Sequence, residues 1–193
     1  MIILGLGLLV FLGVHSIRVF ADDWRAEQRL RLGEARWKSL YTLVSVVGFG
    51  LILWGFHVAR GHPVVLWTPA PAARRVTAVL TLPAFVLLAA AYVPGNRIKA
   101  WTGHPMVLGT MIWAIAHLLA NATLAHAMLF GGFLIWATAV FRASRRRDRT
   151  AGVRYPVQGW RRDALAIGIG VIGWIGFAAF GHAWLTGTRP LGA

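Results

Sequence analysis

Histidines inside long apolar segments are the residues of this sequence best suited to chemistry. His15 lies within the first apolar segment, and Arg18 follows it one helical turn further on. Ionisable groups inside a bilayer are costly, so those that occur there are candidates for function. A second histidine, His117, belongs to a polar and aromatic stripe. The residues of this stripe recur at three- and four-residue spacing, which places them on one face of a helix: Thr110, Trp113, His117 and Asn121. The alternative is structural: a hydrogen bond to a nearby carbonyl for His15, and a hydrogen-bond network between helices for His117.

The residues that are missing narrow the chemistry that these histidines support. The sequence contains no cysteine, which excludes disulfides, iron–sulfur clusters, thiolate-ligated haem and cysteine zinc sites. Zinc and di-iron sites usually recruit carboxylates, so two histidines on different helices fit a b-type haem better. All six acidic residues lie outside the uncharged segments: Asp22, Asp23, Glu27, Glu34, Asp148 and Asp163. Carboxylate-based acid–base catalysis at mid-membrane is therefore not expected.

Six apolar segments are long enough to position these residues as membrane-spanning helices. The 193 residues are 58% apolar with a mean hydropathy of +0.63, and one crossing takes about 20 helical residues. The sequence predicts an all-α polytopic transmembrane bundle that forms a single membrane domain, residues 1–193. Pro83 is expected to kink the third span, and the chain is expected to turn near Asn121. The predicted spans are about 2–20, 39–59, 76–93, 105–120, 123–141 and 164–185.

The distribution of positive charge predicts the orientation of this bundle. The formal net charge is +14, and in the six-span arrangement 16 of the 20 Lys and Arg residues lie on one side. The positive-inside rule then places both termini outside a bacterial inner membrane. The arginine-rich run from Arg142 to Arg162 is interpreted as an anchor against anionic lipid, worth about 1 kcal/mol per basic residue. No nucleic-acid partner is expected, because aromatic residues do not alternate with the arginines of this run and no known nucleic-acid motif accompanies it.

Several short motifs, which extend over about residues 1–141, resemble the NnrU family. That family is associated with nitrite and nitric oxide metabolism in denitrifying bacteria, and it is related to the 15-cis-zeta-carotene isomerase of plants and cyanobacteria. The motifs are FLGVHSIR from Phe11, GEARWKSLY from Gly33, VLWTP from Val65, HPMVLG from His104 and FGGF from Phe130, together with Trp113, Ala116-His117 and Asn121.

The resemblance implies a haem b protein in which His15 and His117 bind the iron. In the carotenoid isomerase branch, reduction of the haem switches on isomerisation of a cis double bond. The resemblance therefore leaves two activities open for this chain: a haem-dependent cis–trans isomerase acting on an apolar polyene, and a redox- or nitric-oxide-responsive factor in denitrification. The alternative class is a membrane accessory or assembly protein that carries no haem.

Helix depth leaves the second iron ligand open. At about 1.5 Å per residue, His15 lies roughly 14 Å from an inner helix end near Trp24, whereas His117 lies roughly 20 Å beyond His104. His104, whose other role is to begin a helix before a proline, is therefore an alternative partner for His15. Arg18 either pairs with a haem propionate or extends to the inner surface. Four histidines lie in a connection or near span ends and are not assigned to the site: His57, His62, His126 and His182.

Overall fold

A computed structural model of the chain, which describes residues 1–190, confirms the predicted all-α membrane fold. Within these residues there is no β-strand, and Val65 and Thr123 form one isolated antiparallel bridge. A π-helical turn, Phe177–Gly181, lies between the last two α-helices. The α-helices are α1 (Ile2–Phe20), α2 (Asp22–Leu32), α3 (Glu34–Arg60), α4 (Ala73–Tyr92), α5 (Arg97–Thr102), α6 (Pro105–Ala120), α7 (Leu124–Ala151), α8 (Trp160–Gly176) and α9 (His182–Thr186).

Five helical stretches of the described chain are long and apolar enough to cross a bilayer: α1, α3, α4, α7 and the continuous stretch Trp160–Thr186. The sixth apolar helix, α6, has 16 residues and occupies the same positions as the predicted fourth span. Apolar side chains such as Leu9, Ile135 and Ile172 are exposed on the outside of the bundle. Such a surface is compatible with contact to lipid tails and supports a multi-pass membrane protein of about six spans.

Helices α3 and α7 extend furthest beyond the bounds that the apolar pattern indicates. Helix α3 begins at Glu34 rather than near residue 39, and α7 continues through the arginine-rich run to Ala151. Arginine is a good helix former, so a helix does not have to end where its apolar stretch ends. Helix α7 ends at Gly152, whose φ of 61° lies in the left-handed region that favours glycine. Pro83 lies inside α4 without ending the helix.

The helices pack side by side in the order α3, α1, α7, α6, α4 and α8. Contact between α1 and α3 is the most extensive of these and depends on small residues. A Cβ on Gly7 would lie 2.6 Å from the backbone nitrogen of Ile52, and a Cβ on Gly55 would clash with the backbone of Leu4. Lipid offers little hydrophobic drive for association between helices, so close backbone packing of this kind supplies much of the attraction.

The two ends of the bundle differ in charge and in how they are closed. We call the end that contains the α1–α2 turn, α5 and the last turns of α7 the basic end, and the end that contains loop 61–72 and the α6–α7 turn the opposite end. At the opposite end the backbone N–H of Leu66 donates to Ala122 at 2.7 Å. At the basic end the buried Asn96 side chain donates to the carbonyl oxygens of Ala90 and Val93 and accepts from the backbone N–H of Lys99.

Candidate functional site

His117 lies near the opposite end of α6 and presents one free ring nitrogen. Its Nδ1–H donates to the carbonyl oxygen of Trp113 at 2.8 Å. A carbonyl oxygen only accepts, so the neutral ring carries its proton on Nδ1 and a lone pair on Nε2. The ring is held between Trp113 and Phe130, with ring centres 5.2 Å and 4.6 Å away. This is the arrangement typical of a metal-binding histidine, whose other ring nitrogen is fixed by a backbone carbonyl.

Two residues of the polar stripe predicted on α6 make hydrogen bonds within their own helix. Asn121 donates from its side chain to the carbonyl oxygen of His117 at 2.8 Å and thereby ends the helix. The hydroxyl of Thr110 donates to the carbonyl oxygen of Met106 within the same helix. Trp113 and His117, the other two stripe residues, both line one cavity.

That cavity lies between α4, α6 and α8 and brings a second histidine to His117. It is narrow and has about 460 Å³ of empty volume, including space open to the outside. The ring of His182, which directly follows the π-helical turn, lies on the same cavity with its centre 6.5 Å from that of His117. The sequence alone indicated only a histidine near the end of the last span. Its place beside His117 depends on the packing of helices that are distant in the chain.

His15 occupies a separate aromatic environment on α1. Its Nδ1–H donates to the carbonyl oxygen of Phe11 at 2.7 Å, which leaves a lone pair on Nε2 here as well. The ring centre lies 4.2 Å from that of Phe11, 5.3 Å from that of Tyr41 and 6.2 Å from that of Trp136. The indole N–H of Trp136 is buried and has no acceptor within residues 1–190. An unsatisfied buried donor is unusual and is consistent with a group that is bound there.

His15 and His117 have no direct ring contact within residues 1–190. Their rings are connected through Phe11, Phe133 and Trp113, whose successive ring centres are 5.9 Å and 5.6 Å apart. Helix α1 ends at Phe20, so His15 lies about 8 Å from the basic end of its helix at 1.5 Å per residue. His117 lies about 18 Å from the basic end of α6 by the same rise. The two histidines are therefore at different depths in the bundle.

His104 lies at the basic end in a hydrogen-bonded cluster. Its Nε2 lies 2.9 Å from Oδ2 of Asp148, and the hydroxyl of Tyr155 donates to the same oxygen at 3.0 Å. Burial and the hydrogen bond to Asp148 raise the pKa of Tyr155 above its ordinary value. The Nε2 atom of His104 is thus occupied by a carboxylate, whereas the Nε2 atoms of His15 and His117 are free.

Arg18 lies in the last turn of α1, also at the basic end. Its carbonyl oxygen accepts a hydrogen bond from Arg147 at 3.4 Å, which connects the end of α1 to α7. No group of three or more metal-binding side chains is arranged around a common point in the described part of the chain. A metal centre built from these residues would therefore need ligands from elsewhere, such as the four nitrogens of a porphyrin.

The fold and these side chains define a polytopic α-helical membrane protein that presents free imidazole nitrogens within its apolar helices. The comparison with known families is specific: the family described as NnrU protein matches residues 3–190, nearly the whole chain. The chain belongs to the NnrU family. No curated protein and no solved structure matches it.

Proposed function

We propose that this chain is a haem b-binding membrane protein that serves nitrite and nitric oxide metabolism, with His117 as an iron ligand. The observation that carries the proposal is the Nε2 atom of His117, which is free beside a narrow cavity while Nδ1 is fixed by a carbonyl. His15, whose ring is held in the same way, remains the predicted second ligand.

The residues around His117 suit haem in the chemistry of their side chains. Aromatic rings of Trp113 and Phe177 line the cavity. The donors are neutral imidazoles, which are the ordinary axial ligands of haem b.

The side chains of this site would act by orienting the imidazole and by controlling its basicity. The carbonyl of Trp113 holds the His117 ring and makes its free nitrogen a better donor. Bound haem would supply a redox-active iron whose ferrous form can bind nitric oxide. Most of the cavity wall is apolar, and this favours uncharged ligands such as nitric oxide over nitrite.

A second candidate function, isomerase-like activity on an apolar polyene, is favoured by one further observation. An apolar groove with about 1,100 Å³ of empty volume, including space open to the outside, lies at the opposite end between loop 61–72, α4, α6 and α7. Trp67, Val76 and Leu134 line it. Helix α4 separates this groove from the cavity at His117, because Val76 faces the groove and Thr77 faces the cavity. A long apolar molecule could enter the groove directly from lipid.

We propose that the protein lies in a bacterial inner membrane with both termini outside. The support is the 16 Lys and Arg residues that the six-span arrangement assigns to the basic end. Because α7 continues as a helix beyond its apolar part, its arginines from Arg142 onward extend from the bundle in a position to contact anionic lipid headgroups.

An absorbance spectrum of the detergent-purified protein, expressed with added haem, tests the proposed function. We expect a Soret band, sharp bands after dithionite, and a spectral change when nitric oxide is added to the reduced protein. His117→Ala should remove or shift these bands, whereas His62→Ala, a change in an exposed loop, should not. A purified protein that is monodisperse but carries no haem would favour the accessory protein without haem instead.

A further inference from the structure

The apolar groove at the opposite end has the depth of one leaflet of acyl chains. Trp67, in loop 61–72, lies at its mouth, and Leu134, about three turns into α7, lies at its inner end. At 1.5 Å per residue these turns measure about 15 Å, which is half of a hydrocarbon core about 30 Å thick. Val76 and Leu119 line the groove and are each nearly half exposed. The groove is therefore open to lipid along its side.

Loop 61–72 places the mouth of this groove at the bilayer surface. Its residues Val65 and Leu66 are apolar, yet about half or more of each side chain is exposed. The backbone hydrogen bond from Leu66 to Ala122 fixes the loop against the α6–α7 turn. An exposed apolar segment that ends in a tryptophan, here Trp67, is typical of the lipid–water interface. We therefore expect the groove to be entered from lipid rather than from water.

Two arginines beside the mouth have no carboxylate at their end of the bundle to pair with. Arg74 and Arg75 directly follow Ala73, which lines the groove, and both arginines are exposed. Every ion pair within residues 1–190 lies at the basic end, as do all six acidic residues. Guanidinium groups bind phosphate through two parallel hydrogen bonds, and this favours an anionic partner from outside the chain.

The groove and the two arginines together favour one class of ligand over others. An uncharged apolar chain would fill the groove but leave the arginines without a partner, and free phosphate would leave the apolar wall uncovered. A phospholipid carries both parts in the required order, with its phosphate at the bilayer surface and its acyl chains in the core. Lipid tails are as apolar as the wall, so we expect the headgroup charge to supply most of the selectivity.

We propose that the groove binds one anionic phospholipid, whose phosphate contacts Arg74 and Arg75 and whose acyl chain lies along the groove toward Leu134. The inference does not depend on haem binding. It gives the groove a different occupant from the uncharged polyene of the second candidate function. At about 100° per residue, Leu119 in the groove wall lies on the face of α6 away from His117, so the two sites can be tested separately.

Quenching of Trp67 fluorescence by brominated lipids tests the proposal on the full chain in vesicles. The chain has ten tryptophans, so the signal of Trp67 is the difference between the wild type and Trp67→Phe. The vesicles contain phosphatidylcholine and phosphatidylglycerol, and only one of the two lipids is brominated in each titration. The fraction of brominated lipid that gives half-maximal quenching should be roughly tenfold lower for phosphatidylglycerol than for phosphatidylcholine.

A double variant and a matched control locate the headgroup site. Arg74→Gln combined with Arg75→Gln should remove the difference between the two lipids. Arg161→Gln combined with Arg162→Gln should keep it. The two pairs are matched, because both are exposed and both are the second and third residues of a helix, but Arg161 and Arg162 belong to α8 at the basic end.

A third variant tests the acyl chain. Ala72 lines the groove and is exposed, so Ala72→Phe should fill part of the groove and weaken quenching of Trp67 by phosphatidylglycerol although both arginines remain. Equal quenching by the two lipids in the wild type overturns the proposal and favours an uncharged chain in the groove. Full preference for phosphatidylglycerol in the Arg74 and Arg75 double variant, or no quenching of Trp67 by either lipid, overturns it as well. None of these results depends on haem, whose absorbance bands test the proposed function independently.

Discussion

Close packing of α1 on α3 predicts opposite effects for the same substitution at two positions of one helix. At Gly55 an added Cβ would clash with the backbone of Leu4, whereas at Gly50 it would meet no atom within 4 Å. Both glycines lie well inside α3, so Gly50→Ala is a matched control for Gly55→Ala.

The magnitudes follow from two opposing contributions. Replacing glycine by alanine inside a helix stabilises it by roughly 0.5–1 kcal/mol, because alanine loses less conformational freedom on folding. Overpacking a tight contact costs typically about 1–3 kcal/mol, and the neighbour here is backbone rather than a flexible side chain. We therefore expect Gly50→Ala to raise the free energy of unfolding by roughly 0.5–1 kcal/mol. Gly55→Ala should lower it, by up to about 2.5 kcal/mol once the two contributions are combined.

Reversible unfolding in mixed micelles, followed by far-ultraviolet circular dichroism as the fraction of sodium dodecyl sulfate is raised, measures both changes. Gly55→Ala should unfold at a lower detergent fraction than the wild type and Gly50→Ala at a higher one. Equal shifts in the same direction would show that α1 and α3 do not approach as closely as the structure has them.

Three further predictions concern the basic end and α8. Asn96→Ala should lower the free energy of unfolding by roughly 2–4 kcal/mol, measured in the same micelles, because it removes a helix cap and leaves two buried carbonyls unsatisfied. The pKa of Tyr155 is raised, so its hydrogen bond to Asp148 should stabilise the fold fully below the ordinary tyrosine pKa of about 10, and this stabilisation should disappear as the pH rises further. The stability difference between wild type and Tyr155→Phe should therefore be constant at neutral pH and shrink in strong alkali. A difference that stays constant into strong alkali would contradict this. A Cβ on Gly170 would lie 2.5 Å from the Cα atom of Val86 in α4, whereas a Cβ on Gly168 would meet no atom within 4 Å. Gly170→Ala should therefore weaken haem retention in a gel-filtration assay more than Gly168→Ala does. Equal retention would argue against the contact between α8 and α4.

The fold was predictable because each span is marked by its own residues. Apolar segments without charge identify helices one at a time, and the turn at Asn121 follows from the length of the uncharged stretch around it. The bounds of α3 and α7 were less predictable, because hydropathy reports where lipid contact ends and not where the helix ends. The arginines after Phe141 continue the helix into a polar region.

The candidate site was predictable only in part. His117 was identifiable from its position within an apolar helix, and the local hydrogen bond to Trp113 follows from helix geometry. The position of the His182 ring beside His117 was not identifiable, because it depends on the docking of α8 onto α4. The depth of His15 was overestimated from the sequence, since α1 ends at Phe20 and the chain turns there into α2.

The absorbance spectrum of the purified wild-type protein, before and after dithionite, tests the central proposal most directly. We predict a Soret band in the oxidised protein and sharp α and β bands in the reduced protein, with one haem per chain by pyridine haemochrome assay. A folded, monodisperse protein without these bands after expression with added haem would contradict the assignment of a haem site to His117.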